Sequence, residues 1–392
     1  MAPKKLVLAV AVAVLVLGSL VAGSYFQVLG GSKGQGTASS SSSAGVSSLL
    51  GNSVGLRPSW LANDPAIVGN TSKIDYPPDY GVLANFTLAV INSDRQAAGL
   101  LPVALSSIPS GQQHADSMAY YGYFSHWDNQ GYKPYMRYSL LGGTGSVEEN
   151  LALNYCSQSQ PGEASPPPMP CSLATEENAI NSSEWGMMNN DTACCDNGHR
   201  LNILGPIHNR VSVGIAYNAT TMFLVEDFED SYVTSPSITL SSGVVNYSGR
   251  IPDNGPNWLR NPSGEEITVY FDPIPKAIGA ASLALTPSCG EYSEQSEPAQ
   301  CKYQGAYDPG VQATTVFAPC PGAAVCASGN YTYANSWTHN SGTFDVVFSI
   351  ASLESTYGNG VYTLYLWPGV RAPEAITSIS LFVNGAQGSA GA

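Results

Sequence analysis

H-A-D-S-M-A-Y-Y-G-Y-F-S-H-W-D-N-Q-G-Y, residues 114–132, with V-E-E-N at 147–150, is the stretch on which the reading of the fold turns. Its first part continues a helix expected over residues 107–121, with Ile108, Met118 and Tyr121 facing inward. The aromatic-rich sequence that follows sets His126 between Ser125 and an Asp-x-x-Gly turn, and Glu149 follows a Gly-rich loop. A further histidine arrives in Gly198-His199-Arg200, ahead of Asn-Ile-Leu. The chain has only five histidines in 392 residues, so their placement in turn-forming sequence is informative. Imidazole titrates near neutrality and can be a base, an acid or a metal ligand. We therefore expect His126, Glu149 and His199 to converge in one cleft, able to hold a divalent cation with open positions for water or to exchange a proton with a substrate. The plainer alternative is that each histidine caps a turn or satisfies a buried carbonyl.

Upstream, apolar Leu83, Phe86, Leu88, Val90 and Ile91 recur at helical spacing over residues 83–98, and Gly99 ends the pattern as a C-terminal cap would. Downstream, residues 157–170 read as a polar, proline-rich surface loop and residues 176–188 as a third helix. Residues 210–217 and 221–228 alternate as two strands of a hairpin. Helices followed by a closing hairpin predict an α/β domain over residues 76–233. Beyond it, residues 236–385 change texture. Strand-like runs at 237–240, 267–271, 281–285, 314–317, 343–350, 361–367 and 378–383 are separated by Gly, Pro and Asn turns, with no convincing helix, and predict an all-β, Ig-like β-sandwich.

Residues 1–29 supply the compartment. Lys4 and Lys5 precede an uncharged apolar run, residues 6–26, long enough to cross a hydrocarbon core of about 30 Å. The run is expected to be a transmembrane anchor with the bulk of the chain outside. Small residues at Val21-Ala22-Gly23-Ser24 leave open a cleaved signal segment and a secreted protein. Residues 30–75 form a linker that begins as a Gly/Ser-rich tether.

All eight cysteines lie between Cys156 and Cys326, in two clusters of four. Even clusters in an exported chain predict disulfides; a zinc site is the rival, although no C-x-x-C pair occurs. Seven N-x-S/T triplets, at Asn70, Asn85, Asn181, Asn190, Asn218, Asn246 and Asn330, agree with an exported glycoprotein. With 15 basic against 29 acidic residues and a formal charge of −14, the surface repels phosphate, and nucleic acid is excluded as a partner.

Taken in order, the opening helix with Val90-Ile91-Asn92, Arg95 and A-A-G-L-L-P-V, then H-A-D-S-M-A-x-x-G-x-F-S-H, E-N, W-G-M-M, G-H-R-x-N-I-L, V-G-I-A and V-E-D-F resemble the CAP superfamily (cysteine-rich secretory, antigen five and pathogenesis-related proteins) in its prokaryotic branch. The resemblance spans residues 83–228. It implies an extracellular α-β-α sandwich with a cleft of two histidines and two glutamates: His126, Glu149 and His199 match three of them. The fourth, three positions after the family's tryptophan, falls on Met188, and Glu184, beside Trp185, is read as facing a different direction.

His114 is expected to serve packing or a hydrogen bond along its helix. Arg137 and Arg200 are read as flanking the site, as anion clamps or as partners of Glu148, and Trp127, Tyr132 and Tyr135 as cleft lining. Three functions follow. The first is a binding module, with His126 and His199 holding zinc or another divalent metal and the cleft taking a lipid, peptide or cell-surface polymer. The second is a metal-dependent hydrolase, a peptidase, with Glu149 as general base. The third is a purely structural surface protein.

Overall fold

The computed structural model describes residues 80–155, 173–192, 197–218, 221–253, 265–278, 311–320, 331–369 and 375–383. All of them belong to one compact unit, Ser47–Ala392. The apolar run at 6–26, the Gly/Ser-rich linker, the strand expected at 281–285 and seven of the eight cysteines lie outside the described residues. Cys320 is disulfide-bonded. Among the described residues no helix is long and apolar enough to cross a membrane.

Helices and sheets are mixed. The first part runs α1 (Tyr80–Ala97), β1 (Ala104–Leu105), α2 (Ser110–Tyr121), α3 (Pro134–Leu140), β2 (Ser146–Tyr155), α4 (Leu173–Asn189), α5 (Gly198–Ile203), β3 (Arg210–Asn218) and β4 (Thr221–Asp230). The strands form one sheet in the order β1-β3-β4-β2, so β2 is an edge strand. It pairs antiparallel to β4 with Glu149 opposite Asp227 and Asn150 opposite Glu226. Because strand side chains alternate, these two neighbouring rungs point to opposite faces of the sheet.

On one face, α1, α4 and α5 pack Leu83, Ile91, Ile180, Met187, Met188 and Ile203 against Val211, Val213, Ile215, Met222, Leu224 and Phe228. On the other, α2 packs Ala115, Met118 and Ala119 against Leu151, Ala216, Phe223 and Val225. The α1 stripe holds because Leu83, Ala84, Thr87, Ile91 and Arg95 recur every three or four residues. Arg95 ends that stripe as a buried cation. It donates to the carbonyls of Leu101 (3.0 Å), Ile203 (2.7 Å), Gly205 (2.9 Å) and His208 (3.2 Å), fastening the end of α5 to α1. α2 stops at Gly122, which adopts φ 70° and donates its N–H to Met118 O.

The second part contains β5 (Thr234–Ser241), β6 (Val244–Arg250), β7 (Glu266–Pro273), β8 (Val311–Phe317), β9 (Tyr331–Tyr333), β10 (Ser336–Asn340), β11 (Thr343–Ser349), α6 (Ala351–Tyr357), β12 (Gly360–Trp367) and β13 (Ile379–Val383). They make a four-stranded sheet, β10-β11-β6-β5, and a five-stranded one, β13-β12-β7-β8-β9. Val245, Tyr247, Phe344, Val346 and Phe348 of the first share a core with Ile267, Val269, Leu364, Leu366 and Leu381 of the second. The expectation of no helix here is corrected by α6, one short segment whose single buried residue, Leu353, gives no periodicity to read.

The two parts meet through α3. Tyr132, Tyr135, Met136, Tyr138, Leu140 and Val147 bury against Val361 and Phe382. Lys133 Nζ reaches Asp272 Oδ1 at 2.6 Å across this contact, with both side chains almost fully buried.

Candidate functional site

Glu149 is buried on the face covered by α2 and α3, and three side chains converge on it. His114 Nδ1 lies 2.7 Å from Oε2, and Arg137 Nη2 donates to the same oxygen at 2.6 Å. His126 Nδ1 lies 3.0 Å from Oε1. Arg137 also donates to the carbonyls of His126 and Tyr132, each at 2.8 Å, so one guanidinium fixes both the carboxylate and the backbone that bears His126. Burial alone would raise the Glu149 carboxyl. His114, Arg137 and the bonds from both histidines outweigh it and hold the group well below the ordinary carboxylate range. Burial, reinforced by Arg137, drives His114 down to about 4, so at neutral pH the positive charge beside Glu149 is that of Arg137.

Across the ladder, Asp227 faces the same side. Burial, and then the charge of Glu149, push its carboxyl well above the usual range. The His126 ring is 16% exposed. Its Nδ1 is committed to Glu149, as in other histidines oriented by a carboxylate.

His199 is elsewhere. It sits on α5, with Nδ1 2.7 Å from Asp191 Oδ1, and its ring is 18% exposed over a buried Asp191. Asp191 Oδ2 accepts the Arg200 N–H at 3.2 Å, and the Arg200 guanidinium donates to Met188 O. Behind α5, Asn150 Nδ2 donates to His199 O (3.2 Å), Asn202 Nδ2 to Asn150 Oδ1 (2.9 Å), and Asn202 Oδ1 lies 3.0 Å from His208 Nε2. The His199 carbonyl can only accept, which fixes both amide orientations and makes His208 Nε2 a donor. His208 Nδ1 then meets Asp230 Oδ1 at 2.8 Å. On this face Glu226 and Glu184 are both buried and side by side. Burial first, and then the contact with Glu226, raise the Glu184 carboxyl well above its ordinary value.

Thus His126 and Glu149 come together, whereas the His199 ring bonds Asp191 and its carbonyl is held by Asn150. Of the three residues expected in one cleft, His126 bonds Glu149 and His199 bonds Asp191. His114, expected to serve packing or a bond along its helix, is a member of the Glu149 cluster. Arg137 pairs with Glu149 rather than Glu148. Trp127, Tyr132 and Tyr135 are buried, Trp127 in the α2 core and both tyrosines against the second part. Glu184 is buried like Met188 one turn later, correcting its expected direction; residues four apart share a helix face.

A shared zinc ion does not fit this donor set. The oxygens of Glu149 are occupied by Arg137 and two imidazoles, and the Nδ1 atoms of His126 and His199 are held by different carboxylates, Glu149 and Asp191. Among the described residues no three His, Cys, Asp or Glu side chains are disposed to hold one ion. Asp227 and the Glu184–Glu226 pair were missed in the sequence reading, although adjacent acids inside V-E-D-F, an otherwise apolar strand, were a signal. No protein-family model matches the chain, and a search of the curated proteins finds no match.

Proposed function

We propose that this chain is an extracytoplasmic protein of the CAP type, anchored by a single N-terminal span, that binds an external ligand at the His126–Glu149 dyad without transforming it. Its second part is read as an Ig-like β-sandwich. The CAP reading is supported by the order of motifs from Arg95 to Phe228 and by helices on both faces of the first sheet. The anchor reading is supported by Lys4-Lys5 ahead of an uncharged run; cleavage near Ala22 would give a secreted form. Asn85, Asn181, Asn190 and Asn246 are exposed, as glycan acceptors need to be. A net charge of −14 leaves lipid, peptide or cell-surface polymer as ligand classes rather than nucleic acid.

The saturation of Glu149 favours binding over hydrolysis. A general base must take up a proton near the working pH, and this carboxylate is held well below that range by an arginine and two imidazoles. The test is a screen of the full chain in detergent against phosphatidylglycerol vesicles, a peptide library and cell-wall polysaccharide, with a parallel casein-turnover assay. Binding lost in His126→Ala, without turnover, is expected. Casein cleavage abolished by a chelator and by His126→Ala would overturn the reading in favour of a metallohydrolase.

A further inference from the structure

Asp272, on β7, is buried at the contact between the two parts and takes two hydrogen bonds from α3. Oδ1 accepts from Lys133 Nζ at 2.6 Å and Oδ2 from Tyr135 OH at 2.8 Å. Lys133 is the N-cap of α3, and its carbonyl accepts the N–H groups of Met136 (3.0 Å) and Arg137 (3.1 Å). One turn on, Arg137 clamps Glu149 and the His126 carbonyl. Asp272 is therefore linked to the dyad through one cap and one helical turn.

We infer that Asp272 is a positioning residue for the His126–Glu149 dyad, so that the C-terminal sheets form part of the frame of the site. The inference rests on the reading of that dyad as the functional centre. An ammonium at a helix N-terminus opposes the positive end of the helix dipole, and Lys133 Nζ lies 5.8 Å from the centroid of the buried Trp127 ring. Neutralising Asp272 removes the charge that fixes both Lys133 Nζ and Tyr135 OH, and the start of α3, which these two residues bracket, shifts with them. Arg137 moves with it. Other bonds show how closely the second part follows this region. Ser139 Oγ donates to Ser378 O at 3.2 Å and accepts the Ser380 N–H at 3.0 Å. Ile278 N–H reaches Asn129 O, three residues from His126, at 2.9 Å. A role confined to gluing the parts together would alter global stability and leave the His126 ring as it is.

The test uses full chain carrying isotope-labelled histidine, whose five rings give a resolvable spectrum. In Asp272→Asn the hydrogen-bonded Nδ1–H of His126 is expected to move in chemical shift and to exchange roughly tenfold faster or more, while the His199 and His339 rings stay unchanged. Lys133→Arg, which keeps the ion pair, should retain the wild-type His126 signal. An unaltered His126 ring in a folded Asp272→Asn chain overturns the inference. If that variant does not fold, Lys133→Met with Asp272→Asn removes both charges and is read by the same criterion. The readout needs no ligand, so failure here is separate from failure of the binding proposal.

Discussion

Glu149 is held by three side chains, and the consequences of disturbing it can be stated with a sign. Replacing it with glutamine removes the strongest of the acidic charges that act on the buried Arg137, ahead of Asp128 and Asp227, which should destabilise the chain by about 3–5 kcal/mol. Urea unfolding of Glu149→Gln checks this, and a loss below about 1 kcal/mol would contradict the burial argument. Acid sensitivity follows from the same cluster. His114 titrates at about 4 in the folded chain against an ordinary 6.5, so the unfolded chain binds more protons between these values. Roughly 3 kcal/mol of stability is therefore lost as pH falls from 6.5 to 4, and the depressed Glu149 continues the loss in more acid solution. Glu184 acts in the opposite direction. Its folded-state carboxyl is raised from 4.5, so its contribution is complete below that pH and fades as pH rises. Glu184→Gln should consequently lose less stability than wild type between pH 5 and 7.5 in paired urea titrations. An equal loss would show that the pair ionises freely.

At the scale of elements, helix α2 reaches its place because two glycines let it touch β3. A Cβ on Gly214 would lie 2.1 Å from Gly111 O, and one on Gly111 would lie 2.5 Å from Ser212 O. Neither neighbour is a flexible side-chain end, so Gly214→Ala must push α2, with His114, away from the sheet. The expected cost is at least about 2 kcal/mol, read as a lowered urea midpoint with loss of the buried His114 signal. An unchanged midpoint would refute this packing. Three helices were legible in the sequence: α1, α2 and α4 have the expected type and place, as does the β3–β4 hairpin, whereas the short α3 and α5 span too few residues to show a period. β2 was not legible. Its inward row is Val147, Glu149, Leu151, and a buried acid in the middle erases the period-two pattern that marks a strand. The E-N motif stood out, but without the strand register nothing told that Glu149 and Asn150 look in opposite directions. Glu184 was a different kind of miss, since counting four residues to Met188 already places both on one face.

For the whole molecule, the boundary read near residue 233 marks a change of architecture between two parts that share buried surface. Ending the chain there would uncover Tyr132, Tyr135 and Val147 and strip Lys133 of Asp272. Such a truncation should express as an aggregating or dye-binding species rather than a cooperatively folded domain. A sharp, reversible melt of residues 76–233 alone would contradict the role given to the contact. The central claim is that the chain carries two separate carboxylate-held histidines, His126 on Glu149 and His199 on Asp191. Zinc titration calorimetry on chelator-free full chain, in wild type, His126→Ala and His199→Ala, tests it most directly. The account predicts that no single zinc site is weakened by both substitutions. One stoichiometric site whose affinity falls roughly tenfold or more in each variant would contradict it.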